Sequence, residues 1–130
     1  MTDRELVILA KEAMENAYAP YSNFKVGAAL LAKDGRVFQG CNIENASYGA
    51  TNCAERTAIF KAVSEGVREF EAIAIVASSG EYASPCGICR QVLFEFLPEG
   101  KVILDSHEKG MVTFTVRELL PLGFRGEDIK

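Results

Sequence analysis

Two helical segments that each begin with a cysteine, together with the apolar strand between them, constrain this fold more than any other feature. The first runs from Cys53 to about Ser64, and the second begins at Cys86 in "CGICRQVLFEFL". The segment between them, "EAIAIVAS", is a continuous apolar run typical of a buried strand. A right-handed crossover would lay both helices side by side and pointing the same way. We therefore expect both cysteines at one edge of a sheet.

The rest of the chain also alternates between helix and strand patterns. Thr2 and Glu5 have the spacing of a capping box, and apolar residues then recur at helical spacing as far as Ala17. Four further runs predict strands, namely "FKVGAALLA", "RVFQGCNI", "KVILD" and "MVTFTV", and the first two are joined by Lys33-Asp34-Gly35, a hairpin signal. A helical turn is expected at 117–120. We predict one α/β domain over residues 1–130, with a mixed five-stranded sheet sandwiched between helices.

Charge and composition limit the classes of partner. The 130 residues include 14 basic and 18 acidic side chains, for a net charge of −4, without any run of lysine or arginine longer than a pair. Binding to a nucleic acid polymer relies on clustered cations, so a small-molecule partner is favoured. The N-terminal "MTDRELVILAKEAMENA" has neither the pattern of a signal peptide nor that of a membrane span. We expect a cytoplasmic protein whose four cysteines are thiols or metal ligands.

The Cys-x-x-Cys spacing of Cys86 and Cys89 has three interpretations: a redox dithiol, half of a structural zinc site, or part of a catalytic metal site. One helical turn separates the two residues, so both sulfurs face the same side, where Cys53 can join them. Helix N-termini stabilise thiolates, and zinc prefers such ligands. Three cysteines would leave one zinc position open, unless Cys41 closes it as a fourth ligand. We favour Cys41 as a packed thiol, and His107 in "DSHEKG" as an exposed turn residue.

Glu55 separates these alternatives, because it follows the first cysteine by two residues in "NCAER". It could be an ordinary first-turn acid that the helix dipole favours. Beside an open zinc position, however, it could take a proton from a bound water, whose pKa falls from about 15.7 toward neutrality. A redox role for the dithiol leaves Glu55 unexplained. Arg56 would offset the excess negative charge of three thiolates, or else be a surface helix residue.

The segments "CAER" and "PCGICRQ", with "NFKVGAAL" and "GCNIENASYG" upstream, resemble the small homotetrameric zinc-dependent cytidine deaminases of pyrimidine salvage. The resemblance covers nearly the whole chain, as far as "ELLPLGF", and implies a cytidine deaminase-like three-layer α/β/α fold. Polynucleotide-acting branches of the superfamily usually have histidine at the position of Cys53. The resemblance thus implies a nucleoside substrate, with no nucleic acid polymer and no membrane as partner.

The resemblance also implies a reaction and a metal. Cys53, Cys86 and Cys89 would hold one Zn²⁺ per chain. Glu55 would take the proton of the zinc-bound water, pass it to N3 of cytosine and then help to protonate the departing amino group. Cytidine and deoxycytidine would become uridine and deoxyuridine, with release of ammonia. Stabilisation of the tetrahedral species at C4 would be the main catalytic effect.

Substrate contacts follow from the same resemblance. Asn42 and Glu44 would bind the ribose hydroxyls and Phe24 would pack on the pyrimidine face, although Phe24 could instead belong to the core and the other two could face solvent.

The Ala54 N–H at the start of the first of these helices and the Ser84 carbonyl would also face the substrate. Ser84 precedes Pro85 and is therefore held extended, so its carbonyl could accept from the leaving amine. In a homotetramer with shared active sites, Tyr48 and Phe124 would reach across subunits, whereas a monomer could use both in its core. Two other functions remain open: a related zinc deaminase acting on another small cytosine-containing compound, and a non-catalytic zinc-stabilised binding module.

Overall fold

The computed structural model describes residues 1–129, and these form a mixed sheet with helices on both faces. The elements are, in chain order, α1 (Asp3–Met14), β1 (Val26–Ala32), β2 (Val37–Cys41), α2 (Ala54–Ser64), β3 (Phe70–Ala77), α3 (Gly87–Phe96), β4 (Lys101–Ser106), β5 (Gly110–Thr115) and α4 (Val116–Leu119). The strand order is β2-β1-β3-β4-β5, with β3 and β4 parallel and the other neighbours antiparallel. The predicted mixed five-stranded sheet is confirmed within the described residues.

The capping box predicted for α1 is present. The Glu5 N–H donates to Thr2 Oγ1 at 3.1 Å, and the Thr2 N–H donates to Glu5 Oε1 at 2.8 Å. The helix ends at Met14, so its predicted extension to Ala17 is wrong. The chain leaves the helix because the Tyr18 N–H donates to the Asn42 carbonyl at 3.0 Å, a contact across the molecule that helical periodicity does not reveal.

The hairpin between β1 and β2 is antiparallel, as the Asp-Gly signal predicts. Gly35 has a φ of 96°, in the left-handed region that a glycine enters without steric cost. Both strands are shorter than predicted at the open end of the hairpin, where β1 begins at Val26 and β2 ends at Cys41. There the side chain of Asn42 bonds the backbone of the neighbouring strand, in addition to a backbone bond from the Asn42 N–H to the Val26 carbonyl at 3.2 Å.

Apolar side chains alternate between two cores, one on each face of the sheet. One core packs Ala29, Ala74 and Ile103 beneath α1. The other packs Leu30 and Ile73 beneath α2 and α3. The implied three-layer α/β/α arrangement is therefore present. Among residues 1–129, no helix combines the length and the apolar character that crossing a membrane requires.

Two glycines let helices lie directly on the β1–β2 pair. A Cβ atom at Gly27 would lie 2.1 Å from the Ala10 carbonyl oxygen on α1. A Cβ atom at Gly40 would lie 2.5 Å from both the Ala54 carbonyl oxygen and the Ala58 nitrogen on α2. Because these neighbours are backbone atoms, a side chain at either position must displace a helix. Gly40 thereby sets the height of the N-terminus of α2 above the sheet.

We expect Gly40→Ala to lower the free energy of unfolding by about 1–3 kcal/mol, the usual cost of forcing extra volume into a packed contact. Gly126→Ala is the matched control, since a Cβ atom there would meet no other atom within 4 Å. We expect the control to change stability by about 0.5 kcal/mol or less. Urea denaturation at equal protein and zinc concentrations measures both. Equal stabilities for the two variants would show that α2 moves away from Gly40 without cost.

Candidate metal and catalytic site

Three cysteine sulfurs converge where α2 and α3 begin, as the topology predicts. Cys53 is the N-cap residue of α2, Cys86 is the N-cap residue of α3, and Cys89 lies in the first turn of α3. The three sulfurs lie within 4.8 Å of one another, and the Cys53 and Cys86 sulfurs are 3.8 Å apart. Within the part of the chain that the structure describes, no other group of three potential ligands is as closely gathered.

The spacing of the sulfurs fits a zinc ion. Zn–S bonds of about 2.3 Å in a tetrahedron put neighbouring sulfurs roughly 3.8 Å apart. N-cap side chains commonly accept a hydrogen bond from their own helix, but neither Cys53 nor Cys86 does so. Their sulfurs are therefore available to a metal. Cys89 is buried and Cys86 is exposed, so the cluster opens from the protein interior toward solvent.

Arg56 supplies positive charge to this cluster. Its Nη2 donates to the Cys53 sulfur at 3.3 Å, so the alternative that it is a free surface residue is wrong. A hydrogen bond from Cys89, together with the Arg56 guanidinium, lowers the pKa of the Cys53 thiol. The same bond to Cys53, together with burial, raises the pKa of Cys89. Of these two thiols, Cys53 is therefore the more readily ionised, and it is the one that the guanidinium contacts.

Neither of the other candidate ligands joins the cluster. The Cys41 sulfur lies outside the group of three, so the alternative of a closed four-cysteine site is wrong. Cys41 is half-buried at the end of β2, and burial raises the pKa of its thiol. His107 is exposed in the turn between β4 and β5, as predicted. The cluster therefore contains three sulfurs and no fourth protein ligand from residues 1–129.

A cavity of about 390 Å³ lies against the cluster. It brings together seven of the predicted site residues: Phe24, Asn42, Cys53, Ala54, Glu55, Ser84 and Cys86. The sequence interpretation missed the remaining wall, formed by Val26, Thr51, Asn52, Ile75, Tyr82 and Ala83. Ile75 could have been found from strand alternation, because it lies on the face of β3 that α2 covers. The others lie at strand ends and in loops, where no periodic pattern marks them.

Glu55 is a buried acid in this cavity, with 4% of its surface exposed. Burial raises its pKa to about 7, and the negative charge of Cys53 acts in the same direction. A first-turn acid that only complemented the helix dipole could do so at the surface, without the cost of burying its charge. A carboxyl group with a pKa near neutrality can both accept and return a proton, which is what a general acid–base catalyst requires.

Asn42 holds the chain next to Phe24. Its Nδ2 donates to the Phe24 carbonyl at 2.8 Å, and its Oδ1 accepts from the Val26 N–H at 2.9 Å. Asn42 is 8% exposed, so its interpretation as a solvent-facing residue is wrong. Phe24 is 43% exposed at the cavity wall, so its interpretation as a core residue is also wrong. The amide of Asn42 retains one N–H and one lone pair for another partner.

Glu44 and Tyr48 line a smaller cavity beside the first, and Thr51 lines both. Glu44 Oε1 accepts from the Tyr21 N–H at 2.9 Å and from the Ser22 N–H at 3.1 Å, while the Ser22 hydroxyl donates to Oε2. The Ser22 hydroxyl holds the pKa of Glu44 below its usual range. Glu44 is therefore an ionised acceptor that also anchors the loop leading to Phe24.

Two of the predicted residues lie away from the metal cluster. Tyr48 is 78% exposed and Phe124 is 55% exposed, so neither serves as a core residue of this chain. The tail is nevertheless ordered against α3, since Gln91 Nε2 donates to the Phe124 carbonyl at 3.0 Å. The described chain therefore presents both rings to its surroundings.

The sequence matches a known family and several relatives over most of its length. Residues 1–105 match the family model of the cytidine and deoxycytidylate deaminase zinc-binding region. A cytidine deaminase of Sporosarcina psychrophila is 52% identical over 130 residues, covering 99% of this chain and 96% of the relative. A cytidine deaminase of Halalkalibacterium halodurans is 56% identical over 129 residues, covering 98% of each.

Solved structures agree with these relatives. The crystal structure of a cytidine deaminase from Burkholderia pseudomallei superimposes with a TM-score of 0.91 and 52% sequence identity. The match covers 95% of this chain and 100% of that structure. Sequence and fold thus agree over nearly the whole chain, including both helices that present the cysteines. The chain belongs to the zinc-binding family of cytidine and deoxycytidylate deaminases.

Proposed function

We propose that this protein hydrolyses cytidine and deoxycytidine to uridine and deoxyuridine, with release of ammonia. One observation carries the proposal, namely a buried carboxyl beside a three-sulfur cluster in a cavity of about 390 Å³. That volume lies within the usual range for small-molecule sites, about 300–1,000 Å³. In the reaction, water adds its oxygen to C4, the C4–N bond breaks, and the protons of the water end on the ring nitrogen and the departing amine.

Cys53, Cys86 and Cys89 would hold one zinc ion. When bound, zinc supplies an acidified water as the nucleophile. Three thiolates exceed the charge of a divalent ion, which works against acidifying that water. The Arg56 contact with Cys53 offsets part of this excess, together with the N-termini of α2 and α3.

Glu55 would move the protons. Its carboxylate accepts a proton from the attacking water and delivers it to N3 of the pyrimidine, and a second transfer then protonates the amino group. Burial supports this role twice, by bringing the pKa of the carboxyl to about 7 and by excluding competing water. The fixed first turn of α2 holds Glu55 two residues from Cys53.

The cavity walls supply contacts for the substrate. The Phe24 ring would pack on the pyrimidine face, the Ala54 N–H would face the ring, and the Ser84 carbonyl would accept from the amino group. Asn42 and Glu44 would bind the ribose hydroxyls with the hydrogen-bonding capacity that their own backbone contacts leave over.

We further propose a cytoplasmic homotetramer with shared active sites, acting on small nucleosides rather than on a nucleic acid polymer or at a membrane. The four cysteines are free, as a reducing compartment would keep them. Tyr48 and Phe124 support the assembly because both rings are exposed, and apolar rings of this size gain most from burial against a second chain.

Glu55→Gln keeps the size and polarity of the side chain but removes its ability to accept a proton. We expect turnover of cytidine to fall by about 10²- to 10⁴-fold or more, the usual contribution of general acid–base catalysis. Glu65→Gln, an exposed substitution at the end of the same helix, is the control. Ammonia release and zinc content are measured for both. Full activity of Glu55→Gln at one zinc per chain would contradict the mechanism.

The sugar contacts predict the substrate class. We expect cytosine to be deaminated about 100-fold or more less efficiently than cytidine or deoxycytidine, because hydrogen bonds to a charged acceptor are lost. Glu44→Gln should reduce kcat/KM for cytidine more than that for free cytosine, because only cytidine loses a sugar contact, whereas both would feel any change in the loop before Phe24. Ammonia release from the three compounds tests this expectation. Equal efficiency with free cytosine would instead identify a deaminase for another small cytosine-containing compound.

Shared sites predict complementation between two impaired chains. We expect a mass near four times the 14.2 kDa of one chain by light scattering, and an increase in KM of about tenfold for Phe124→Ala. Co-expression of Phe124→Ala with Glu55→Gln should lower KM toward the wild-type value, because mixed tetramers contain sites with an intact Glu55 and a partner's intact ring. A monomeric mass, or no recovery in confirmed mixed assemblies, would refute shared sites.

A further inference from the structure

Arg90 is a half-buried arginine whose three side-chain nitrogens all bond to the protein. Its Nε donates to the Pro85 carbonyl at 2.7 Å, and its Nη2 donates to Ser84 Oγ at 2.7 Å. Its Nη1 donates to the Leu119 carbonyl at 2.9 Å. These partners use the planar fork of the guanidinium, which a lysine ammonium cannot reproduce. Arg90 therefore holds the loop before α3, and it does not itself line the cavity beside the cluster.

Two of these bonds flank the Ser84 carbonyl. The Ser84 hydroxyl lies on one side of it and the Pro85 carbonyl on the other, and both accept from the same guanidinium. The ring of Pro85 also limits rotation of the backbone between them. The Ser84–Pro85 peptide is therefore fixed from both sides by a single residue of α3.

The Ser84 carbonyl oxygen itself has no hydrogen-bond partner in the described part of the chain. Among residues 1–129, the hydrogen bonds around this loop end on the Pro85 and Cys86 carbonyls, and none ends on that of Ser84. Ser84 nevertheless lines the cavity that contains Glu55. An acceptor that is held in place but unused by the protein is available to a donor in the cavity.

We infer that Arg90 is a positioning residue for the leaving group, holding the Ser84 carbonyl where it accepts a hydrogen bond from the amino group of the substrate. The inference rests on the proposed function, because only a substrate with an exocyclic amine offers that donor. A carbonyl fixed in advance does not have to reorganise during the reaction. The backbone N–H of Arg90 also donates to the Cys86 carbonyl at 2.9 Å, and this helix bond would remain if the side chain were replaced.

A purely structural role is the competing explanation, since the bond to Leu119 also fastens α4 to α3. Comparison of two leaving groups separates the two roles. Cytidine loses an amine that carries N–H donors, whereas the 4-methoxy analogue of the same nucleoside loses methanol and offers no N–H when bound. A structural defect would slow both reactions alike.

We expect Arg90→Ala to lower kcat/KM for cytidine by about 10- to 100-fold, as expected for a misplaced reacting group. The 4-methoxy analogue should lose about threefold or less. Ser84→Ala removes the Nη2 bond but leaves Leu119 attached, so it should show the same selectivity with a smaller loss. Arg90→Lys should recover part of the activity toward cytidine.

Arg68→Ala is the matched control, because Arg68 also binds backbone carbonyls, those of Val63 and Val67, but beyond the far end of α2. We expect its ratio of activities on the two substrates to equal that of the wild type, whatever its thermal stability. Equal losses on both substrates for Arg90→Ala, or no loss with cytidine, would overturn the inference. A wild-type protein that releases no ammonia from cytidine would overturn the proposed function itself.

A binding measurement covers the cases in which Arg90→Ala does not fold or the methoxy analogue does not react. In the Glu55→Gln background, Ser84→Ala and Arg90→Lys should weaken binding of cytidine more than binding of the pyrimidin-2-one riboside, which carries hydrogen in place of the amino group. Equal weakening of both ligands would refute the inference. Zinc content, measured in the same samples, shows that the metal site is intact.

Discussion

The structure depends on two helices that begin side by side at one edge of the sheet and point the same way. Their N-termini place unpaired N–H groups and positive partial charge in one small volume, an arrangement that is unfavourable without anions. The sulfurs of Cys53, Cys86 and Cys89 occupy that volume. Thiolates and helix ends thus stabilise each other, and the parallel pairing of β3 with β4 makes their meeting possible.

The hairpin of β1 and β2 brings the candidate substrate-binding residues Phe24 and Asn42 to the cysteine cluster. Gly40 lets α2 lie directly on β2, so that the first turn of this helix is close to the strand ends. At those ends Asn42 bonds the backbone on both sides of the Phe24–Val26 segment, and Glu44 anchors the loop before it. The same polar side chains that are candidates for binding a sugar also shape the wall that would receive the base.

Sequence patterns predicted what depends on spacing and topology. Capping, hairpin and helix signals located the elements, and one crossover rule brought Cys53 to the other two cysteines. The end of α1 was missed because it depends on a bond from Tyr18 to Asn42. The contacts of the Arg90 side chain were missed for a similar reason, since one of its partners, Leu119, is distant in sequence and has no motif of its own. Interactions between distant backbone groups carry no local signature, so only the folded chain reveals them.

Three consecutive residues of α3 contact three different parts of the protein. Cys89 belongs to the cysteine cluster, Arg90 binds the loop before the helix, and Gln91 binds the C-terminal tail. Neighbouring residues of a helix are turned by about 100° from one another, which is why they can serve three separate regions. The same geometry makes the helix intolerant of insertion, because a shift by one residue would misdirect all three contacts at once. Length variation within this family is therefore expected in the loops and in the tail, and not in this segment.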